Sequence, residues 1–564
     1  MLELTLANVI RELHTKLSEA LAWQAAGDDR PDRGAYVSPE WALDDPSLGT
    51  AALAAGCGYF YLAAALRPQL PLPPADPAGL LQRGIDAMNY MLRYQRESGL
   101  IDLRSCNFDS GPDTAFVVET LCPLLAFGRQ LKSPDPGWTQ FSQLLEQFVR
   151  RAARGLANAG FHTPNHRWVM ASAMAQASKL FPDLPVKVAI QSYLAEGIDI
   201  DPEGFYIERS PAAYDGVCNV SLLRLAEEWG FAAGRDAVRA NLDLNLRLLH
   251  NDGTIETGLS RRFDAGQRVV PVKLAPAYLE LGIADSNPVL IRAAQMLWER
   301  RGATSLETLC QLSRTLLACG EPPAWSADLP DDFSIHYPVN GLWRIRRGLL
   351  SASVFRGGAN LLSLRHGRAE LTDLQIAQSY FGVGQFIAET SQAAEGQVML
   401  RHGGRASPRR PGYDLPLGQH VGHDRWEHVA KYRRYRIIPP CASQLLVKEA
   451  SGGLDLCYRT TDGMDRVPLQ IALDFAPGGT WETDACVFQP RAGQVIFLRQ
   501  GTGRMRYGAD VIEISPGAGA HRTWEMRDAQ QAPASVRVLL TLTTPADFTF
   551  SIRAWRGPGD EPRP

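Results

Sequence analysis

The stretch ACGEPPAWSADLPDDFSIHYP, residues 318–338, divides the sequence into two halves with different patterns. Its prolines, aspartates and serines interrupt helical periodicity, because proline lacks an amide donor and clashes with the preceding turn. Before it, apolar residues recur at spacings of three and four; after it, short β-rich runs alternate with glycine turns. The segment therefore predicts a boundary between an all-helical part and an all-β part.

The N-terminal part, residues 1–325, is predicted to be one domain of paired helices. Connectors such as PQLPLPPADPAG and KSPDPG end individual helices. Many antiparallel pairs favour a solenoid or a closed toroid, and we find no fixed-period motif of the solenoid kind. An amphipathic helix is expected at the N-terminus, and the other helical segments are 51–66, 79–97, 113–131, 137–157, 166–181, 214–229, 233–250, 287–300 and 304–318.

The C-terminal part is predicted to be an antiparallel β-sandwich. Runs such as LLSASVFRG, NLLSLRHG and SVRVLLTLTT are short, β-rich and bounded by turns. More than 200 residues of strand need more than one sheet to bury their faces. We expect the sandwich over 338–484, with 485–564 as a C-terminal β subdomain that completes it.

Composition narrows the class of partner and the compartment. The formal net charge of -3 gives no overall positive field, so nucleic acid and anionic membranes are not favoured. The nine cysteines are odd in number and never form CxxC, which indicates a reducing compartment. Without a visible signal peptide we expect a cytoplasmic protein, although a secreted protein with a trimmed signal would look the same. The sequence has no run of about 18 uninterrupted apolar residues, so it predicts no membrane span.

The segment FHTPNHRWVMASAMAQASKLFPD (161–183) carries the strongest local signal. Asn165 stands where an N-cap would, followed by a helix, which predicts that Asn165 and His166 face outward at a helix start. There the Asn165 amide could donate to a substrate carboxylate while His166 assists proton removal, and Trp168 could contact substrate. The alternative, an ordinary cap beside a surface histidine, is about equally compatible with the motif.

The segment DPEGFYIERSPAAYDGVCNVSLLRLAEEWG (201–230) places Tyr214 at the start of the next helix. A phenol can give a proton to a leaving glycosidic oxygen, or take an α-proton when deprotonated, and nearby Arg209 would stabilise the phenolate. Glu208 and Arg209 are candidate substrate-binding residues. The alternative is a tyrosine in a hydrophobic wedge beside a surface ion pair.

Other candidate residues lie in three further segments. Asn107, in a polar loop before a helix, is a candidate sugar ligand, although capping explains most of that loop. In the β-rich part, His366 at a strand end between Arg365 and Arg368 could be a second histidine of the site. His420 belongs to a histidine-rich patch that could line a cleft, and KYRRYR (431–436) could hold carboxylates or be a solvated edge.

Taken in order, these segments resemble the heparinase II/III-like polysaccharide lyases. The resemblance rests on PNHRWVMASAMA followed by FPD, on DPEGFYIERSPAAY, on NFDSGPDTAF, and on RRGLLSASVFRGG with LLSLRHG, and it spans most of the chain. It implies a multidomain α and β protein: an incomplete α/α toroid followed by an antiparallel β-sandwich, with an active cleft between them. It also implies β-elimination next to a uronic acid, leaving a 4,5-unsaturated uronate.

The resemblance also implies roles for four residues. Asn165 corresponds to the asparagine that neutralises the carboxylate, His166 to its neighbouring histidine, Tyr214 to the acid or acid/base tyrosine, and His366 to the histidine of the sandwich. Removal of a uronate α-proton at neutral pH requires positioned donors or positive charge for the developing enediolate. An amide, an imidazole and an arginine can supply these without a metal.

The sequence departs from the resemblance at the metal site, and it leaves other functions open. Several members of the family carry a His-x-His-x-x-Asp-like zinc arrangement, whereas the corresponding run here, RHGRAELTD, has only His366 and Asp373. We therefore expect no cofactor, although a structural metal in the sandwich stays open, and we expect an acidic polysaccharide or oligosaccharide as partner, with a homodimer possible. A glycoside hydrolase using Asp109, Asp113 or Glu208, and a non-catalytic glycan-binding protein, are the alternatives.

Overall fold

The computed structural model describes residues 3–27, 29–300, 302, 304–323, 327–406 and 409–557. The chain forms two compact units, Met1–Leu249 with Gly253–Leu329, and His250–Asp252 with Pro330–Pro564. The division after Leu329 falls within the predicted boundary segment. Residues 324–326 of that segment and residues 558–564 of the predicted C-terminal subdomain lie outside the described residues.

The first unit is helical, as the periodicity predicts. Proline within the first turn starts several helices, because its missing N–H is not needed there, and Thr5, Asp76, Ser110, Asp135, Asn287 and Ser305 cap helix starts. The helices are α1 (Leu6–Leu21), α2 (Leu48–Leu66), α3 (Pro77–Tyr94), α4 (Gly111–Gly128), α5 (Pro136–Leu156), α6 (Pro164–Leu180), α7 (Lys187–Ala195), α8 (Asp215–Trp229), α9 (Ala232–Leu248), α10 (Ala275–Ala284), α11 (Pro288–Glu299) and α12 (Leu306–Cys319).

Even-numbered and odd-numbered helices have different environments. The even-numbered helices are buried on most of their surface and contact one another in the order α2, α4, α6, α8, α10, α12, with α12 packing on α2 again. The odd-numbered helices pack outside them, and α1, α3 and α5 are apolar on one face only. An inner ring surrounded by outer helices confirms the prediction of an α/α toroid.

Helix α2 is long and apolar enough to cross a membrane by length and composition alone. Its most apolar window has a mean hydropathy of 1.4, and 78% of that window is buried inside the protein. Such burial is the environment of a core helix.

Alternation of inner and outer helices fixes where the connections lie. Successive inner helices point the same way because each is separated from the next by an outer helix of opposite direction. The connections that enter inner helices therefore share one end of the toroid, here called the entry end. Four of these connections, 22–47, 95–110, 196–214 and 249–274, are longer than any connection at the other end. Two of them carry short hairpins, β1 (Tyr36–Val37) with β2 (Asp44–Asp45) and β3 (Ile101–Leu103) with β4 (Asn107–Ser110).

The second unit is a β-sandwich. Its strands are β5 (Asp332–Tyr337), β6 (Leu342–Arg347), β7 (Leu350–Phe355), β8 (Leu362–His366), β9 (Ala369–Gln378), β10 (Thr390–Ala394), β11 (Gln397–His402), β12 (Ala442–Ala450), β13 (Gly453–Asp462), β14 (Pro468–Phe475), β15 (Thr480–Glu482), β16 (Val487–Phe488), β17 (Val495–Phe497), β18 (Gly503–Tyr507), β19 (Asp510–Ser515), β20 (Val536–Thr543) and β21 (Asp547–Arg556). A short helix, α13 (Trp426–Ala430), lies between β11 and β12.

Two sheets bury one apolar core between them. One sheet has the order β10-β11-β12-β13-β21-β19-β18-β15-β16 and the other β17-β20-β14-β9-β8-β7-β6-β5, antiparallel except where β17 pairs with β20. Core residues such as Leu364, Ile471, Leu456 and Ile552 come from both sheets. Strands after residue 485 enter both sheets, so the predicted C-terminal subdomain is part of the same sandwich.

Candidate active site

Asn165 lies at the start of α6, but it is not the cap. Proline 164 opens the helix, Thr163 is the N-cap, and Asn165 is fully buried. Its Nδ2 donates to Thr163 Oγ1 at 2.9 Å and to Glu208 Oε2 at 2.8 Å, and its backbone N–H donates to the same Oε2 at 3.2 Å. The prediction of an outward-facing amide is therefore wrong: both amide hydrogens are engaged within the protein.

Glu208 connects Asn165 to an arginine that the sequence did not suggest. Its Oε1 lies 3.2 Å from Arg262 Nη1, and burial raises the pKa of the carboxyl group against the opposing effects of Asn165 and Arg262. The alternative that the sequence left open, a surface ion pair of Glu208, does not hold, because Glu208 is buried and contacts Arg262. Glu208 was predicted to bind substrate, but it is only 6% exposed, so little of its carboxyl group is accessible to a ligand.

Tyr214 is the N-cap residue of α8 and contacts the same arginine. Arg262 Nη2 donates to the phenolic oxygen at 3.1 Å, and the guanidinium carbon lies 4.5 Å from the ring centroid. The sequence pointed to Arg209, which has φ of 50°, whereas the contact shown with the phenol is that of Arg262. Asp264, two residues after Arg262, holds the segment before Tyr214 close to Arg262, because it accepts hydrogen bonds from Ser210 Oγ and from the Ala212 N–H.

His166 follows Asn165 and is half-buried. Its Nδ1 accepts from the His162 N–H at 3.4 Å, and its ring meets Phe116 of α4 edge-on at 6.2 Å between centroids. Burial, with smaller effects of His162 and Arg262, lowers the pKa of His166 to about 4. At neutral pH the ring is uncharged, and because Nδ1 accepts, its proton lies on Nε2.

Two predicted substrate ligands of the first unit have structural partners. Trp168 is fully buried, and its indole N–H donates to Asp199 Oδ1 at 2.8 Å. It cannot contact a substrate, because it lies on the face of α6 that packs into the unit. Asn107 Nδ2 donates to Asp113 Oδ2 at 3.2 Å at the start of α4, in keeping with the capping alternative.

The predicted site residues of the second unit do not form a basic spot facing outward. His366 follows Leu362 and Leu364 on the face of β8 that enters the core, and its Nδ1 lies 3.5 Å from Asp510 Oδ1. Burial lowers the pKa of His366, although Asp510 opposes this. Arg365 points to the other face and pairs with Glu370 at 2.6 Å, while His420 is exposed. Strand alternation explains why His366 and Arg365 are separated.

The zinc arrangement of the family that the sequence resembles does not fit these residues. His366 faces Asp510, whereas Asp373 lies beside Asp474 on the neighbouring strand and accepts from Gln375. Over the described part of the chain, no group of three or more His, Cys, Asp or Glu is arranged to hold a metal ion.

Exposed aromatic residues of the first unit concentrate at the entry end. Phe263 is 67% exposed and meets the Tyr214 ring at 5.8 Å between centroids. Further exposed apolar side chains lie on the connections that enter α2, α4, α6 and α8, namely Trp23, Trp41, Phe108, Phe161 and Ile207. Such clustering around polar side chains is typical of a binding surface.

A continuous series of contacts runs from Asn165 through Glu208 and Arg262 to Tyr214, and it joins three separate segments of the chain. The sequence pointed to Asn165 and Tyr214 but not to Arg262 or Phe263. The only local signal for them is the run SRRF, two arginines before an aromatic residue in a turn-rich segment. That pattern is common at protein surfaces and has no specificity by itself.

The architecture is that of polysaccharide lyases in which a helical toroid is followed by a β-sandwich. No protein-family model matches the chain, and no curated protein matches it. Among solved structures, heparinase III matches with a TM-score of 0.52 at 10% identity, over 95% of this chain and 79% of that chain. Streptomyces coelicolor A3 chondroitin AC lyase, solved with chondroitin sulphate, matches with a TM-score of 0.53 at 13% identity, over 98% and 80%. At these identities the likeness shows the fold.

Proposed function

We propose that this protein is a lyase that cleaves the glycosidic bond next to a uronic acid in an acidic polysaccharide or oligosaccharide. The observation that carries the proposal is the contact of Arg262 with the phenolic oxygen of Tyr214, in a protein with the fold of polysaccharide lyases. A cation held against a phenol stabilises negative charge on its oxygen, which elimination requires and simple binding does not.

Arg262, His166 and Tyr214 at the entry end have the chemistry that the reaction needs. Arg262 retains an exposed fraction of 28%, so its guanidinium can also meet a uronate carboxylate. The His166 Nε2–H is a neutral donor for the enediolate that develops on that carboxylate. Asn165 and Glu208 are buried. Because Glu208 contacts both Asn165 at the start of α6 and Arg262, these two residues fix the position of Arg262 relative to α6, and they are positioning residues.

Tyr214 carries both proton transfers in this proposal. The phenolate takes the proton at C5, the C4–O bond breaks as the C4–C5 double bond forms, and the phenol returns the proton to the leaving oxygen. His166 is poorly suited as the base, because the nitrogen that could accept a proton already accepts the His162 N–H. The products are an unsaturated uronate and a shortened chain, with no net change in protons.

The exposed aromatic side chains support a saccharide as ligand. Phe263, next to Tyr214, offers a flat apolar surface on which the apolar face of a sugar ring can pack. A hydrolase is less well supported, because it needs two carboxyl groups facing the cleft. Asp113 and Glu208, two of the three candidate carboxyl groups, are buried and hydrogen-bonded.

The test is a screen of hyaluronan, chondroitin, heparan, alginate, gellan and short uronate oligosaccharides. Elimination gives a conjugated product that absorbs in the near ultraviolet. We expect such a product from at least one substrate, and its loss in Tyr214→Phe with substrate binding retained. Chain cleavage that releases reducing ends without the absorbance would instead establish a hydrolase, and binding without turnover in the wild type a glycan-binding protein.

A further inference from the structure

The connection between β11 and β12, residues 403–441, is longer than the sheet requires. The two strands are antiparallel neighbours, with His402 opposite Ser443. Such a pair is ordinarily joined by about two to five residues, and connections longer than about 15 residues are uncommon unless they have a function. We call residues 409–440 of this connection the basic excursion.

The basic excursion carries a positive charge that the protein as a whole does not have. It contains seven arginine or lysine residues and three acidic residues, a net charge of +4 in a chain of net charge -3. Arg434 pairs with Asp414 at 3.5 Å. Five others have no carboxylate within 4 Å in the described part of the chain: Arg410, Arg425, Lys431, Arg433 and Arg436.

Aromatic rings lie between these cations in a folded arrangement. The chain pairs with itself through Tyr413 and Tyr435, whose rings stack at 5.5 Å. The Arg433 guanidinium lies 4.2 Å from the Trp426 ring centroid and 5.4 Å from that of Tyr413, and Arg410 lies 4.9 Å from Tyr435. Cation–π contacts hold these arginines in place while their charge stays available to an anion.

The surface of the excursion is accessible. Tyr432 is 65% exposed and Trp426 51% exposed, and Lys431, Arg434 and Arg436 are exposed around them. Flat rings beside fixed cations suit a ligand that combines ring faces with repeated negative charges. An acidic polysaccharide has both, with uronate or sulfate groups on successive sugar rings.

We propose that the basic excursion is a second binding surface, for an acidic polysaccharide, in addition to the candidate site around Tyr214. The inference rests on the proposed function for its ligand class: a chain that acts on acidic glycans meets that polyanion in any case. Nucleic acid shares the charge pattern, but the overall net charge of -3 does not favour it. A polysaccharide bound here stays at the protein between encounters with the candidate site, which lowers KM for long chains.

Binding is measured on the full chain with Tyr214→Phe as background, so that no probe is consumed. The probes are polymeric chondroitin sulfate, neutral dextran and a single-stranded oligonucleotide. The test variant is Lys431→Gln with Arg434→Gln and Arg436→Gln. Its matched control, Arg491→Gln with Arg499→Gln and Arg522→Gln, removes the same charge from exposed positions of the same unit. Tyr432→Ala tests the aromatic contribution at constant charge.

We expect chondroitin sulfate to bind the background protein, with Kd raised roughly tenfold in the test variant and about threefold by Tyr432→Ala, but less than twofold in the control. Dextran should not bind. Equal weakening in test and control variants, no binding of chondroitin sulfate, or tighter binding of the oligonucleotide would overturn the inference. Because binding is read without turnover, a failed substrate screen would refute the proposed function and leave this result interpretable.

Discussion

Replacing Glu208 by glutamine tests whether one buried carboxylate positions the groups around Tyr214. Glu208 Oε2 accepts two hydrogen bonds from Asn165, and Oε1 lies 3.2 Å from Arg262 Nη1. A glutamine side chain has the same shape but one donating end. Its amide nitrogen must face either the donors of Asn165 or the guanidinium, so one of these two residues has to move.

The expected effect of Glu208→Gln on folding is small. Burial raises the pKa of Glu208 despite its contacts, so the carboxylate costs desolvation that these contacts do not fully offset. Arg262 reaches solvent with 28% exposure and is not left as a fully buried charge. Because the loss is that of a hydrogen bond to a charged group, we expect the free energy of unfolding to change by about 2 kcal/mol, and the Tm by less than about 8 °C.

The stability of the wild type and of Glu208→Gln should depend differently on pH. Below the ordinary pKa of 4.5 the Glu208 side chain is protonated in both the folded and the unfolded state, so the two proteins differ least in charge there. As pH rises through the raised pKa of the folded state, the wild type loses stability relative to a neutral side chain. The Tm of the variant should therefore rise relative to the wild type over that window.

The expected effect of Glu208→Gln on activity is large. A shift of about 1 Å in a positioned group lowers rates on the order of 10²-fold, so kcat/KM should fall by about that factor. Release of the ultraviolet-absorbing product measures kcat/KM, and thermal unfolding followed by circular dichroism measures Tm. Glu299→Gln, which alters an ion pair with Arg292, is the matched control. A folded Glu208→Gln protein with kcat/KM within threefold of the wild type would refute the positioning role.

Three further substitutions, two at the candidate site and one in the sandwich, have distinct expected outcomes. Because burial lowers the pKa of His166 to about 4 from 6.5, the wild type loses stability as pH falls between these values; His166→Gln should flatten this part of a Tm against pH curve, and identical slopes would contradict the assignment. Phe263→Ala should raise KM about two- to tenfold with little change in kcat, since stacking contributes roughly 0.5–1.5 kcal/mol; a loss confined to kcat would exclude a platform role. His366→Gln should lower Tm slightly and leave kcat/KM within twofold, because His366 faces the sandwich core; a loss of turnover without loss of Tm would restore it to the site.

The periodicity of the sequence was sufficient for most of the fold. Helix and strand periods differ, so the change near residue 330 was visible without tertiary information. Two helices of the first unit were missed for identifiable reasons. Ala275–Ala284 is apolar on almost every side and has no polar face to show a period, and Lys187–Ala195 has one buried residue, Ile190.

The candidate site was only partly predictable, because its central contact is non-local. Arg262 and Tyr214 are 48 positions apart, and nothing in SRRF indicates which phenol the arginine meets. Two errors could have been avoided with local rules. Proline at the first helical position places the cap at Thr163 instead of Asn165. The alternation Leu362, Leu364, His366 places that histidine with the core leucines.

The direction of the inner helices gives a physical reason for the location of the site. Helices α4, α6 and α8 all begin at the entry end, where Phe116, His166 and Tyr214 lie. Each helix start contributes partial positive charge, worth about 0.3–1 kcal/mol to a nearby anion. Three such contributions help to bind a uronate, but they are small against the roughly 8 kcal/mol or more by which enzymes lower a barrier. In the proposed reaction, side chains that contact the substrate must supply the remaining lowering of the barrier, so Arg262 and His166 should contribute more than the helix dipoles.

The other end of the inner ring is unsuited to the same task. In the C-terminal halves of α8, α10 and α12, Arg224 and Arg314 each contact both Glu227 and Glu280. The two positive and two negative charges compensate one another, and the negative ends of the helix dipoles disfavour an anion there. In the proposed function, an acidic substrate would therefore be attracted to the entry end by the direction of the inner helices and held there by Arg262 and His166. Glu227→Gln should therefore lower the Tm in thermal unfolding without altering the KM of the reaction, because Glu227 contacts Arg224 and Arg314 away from the entry end.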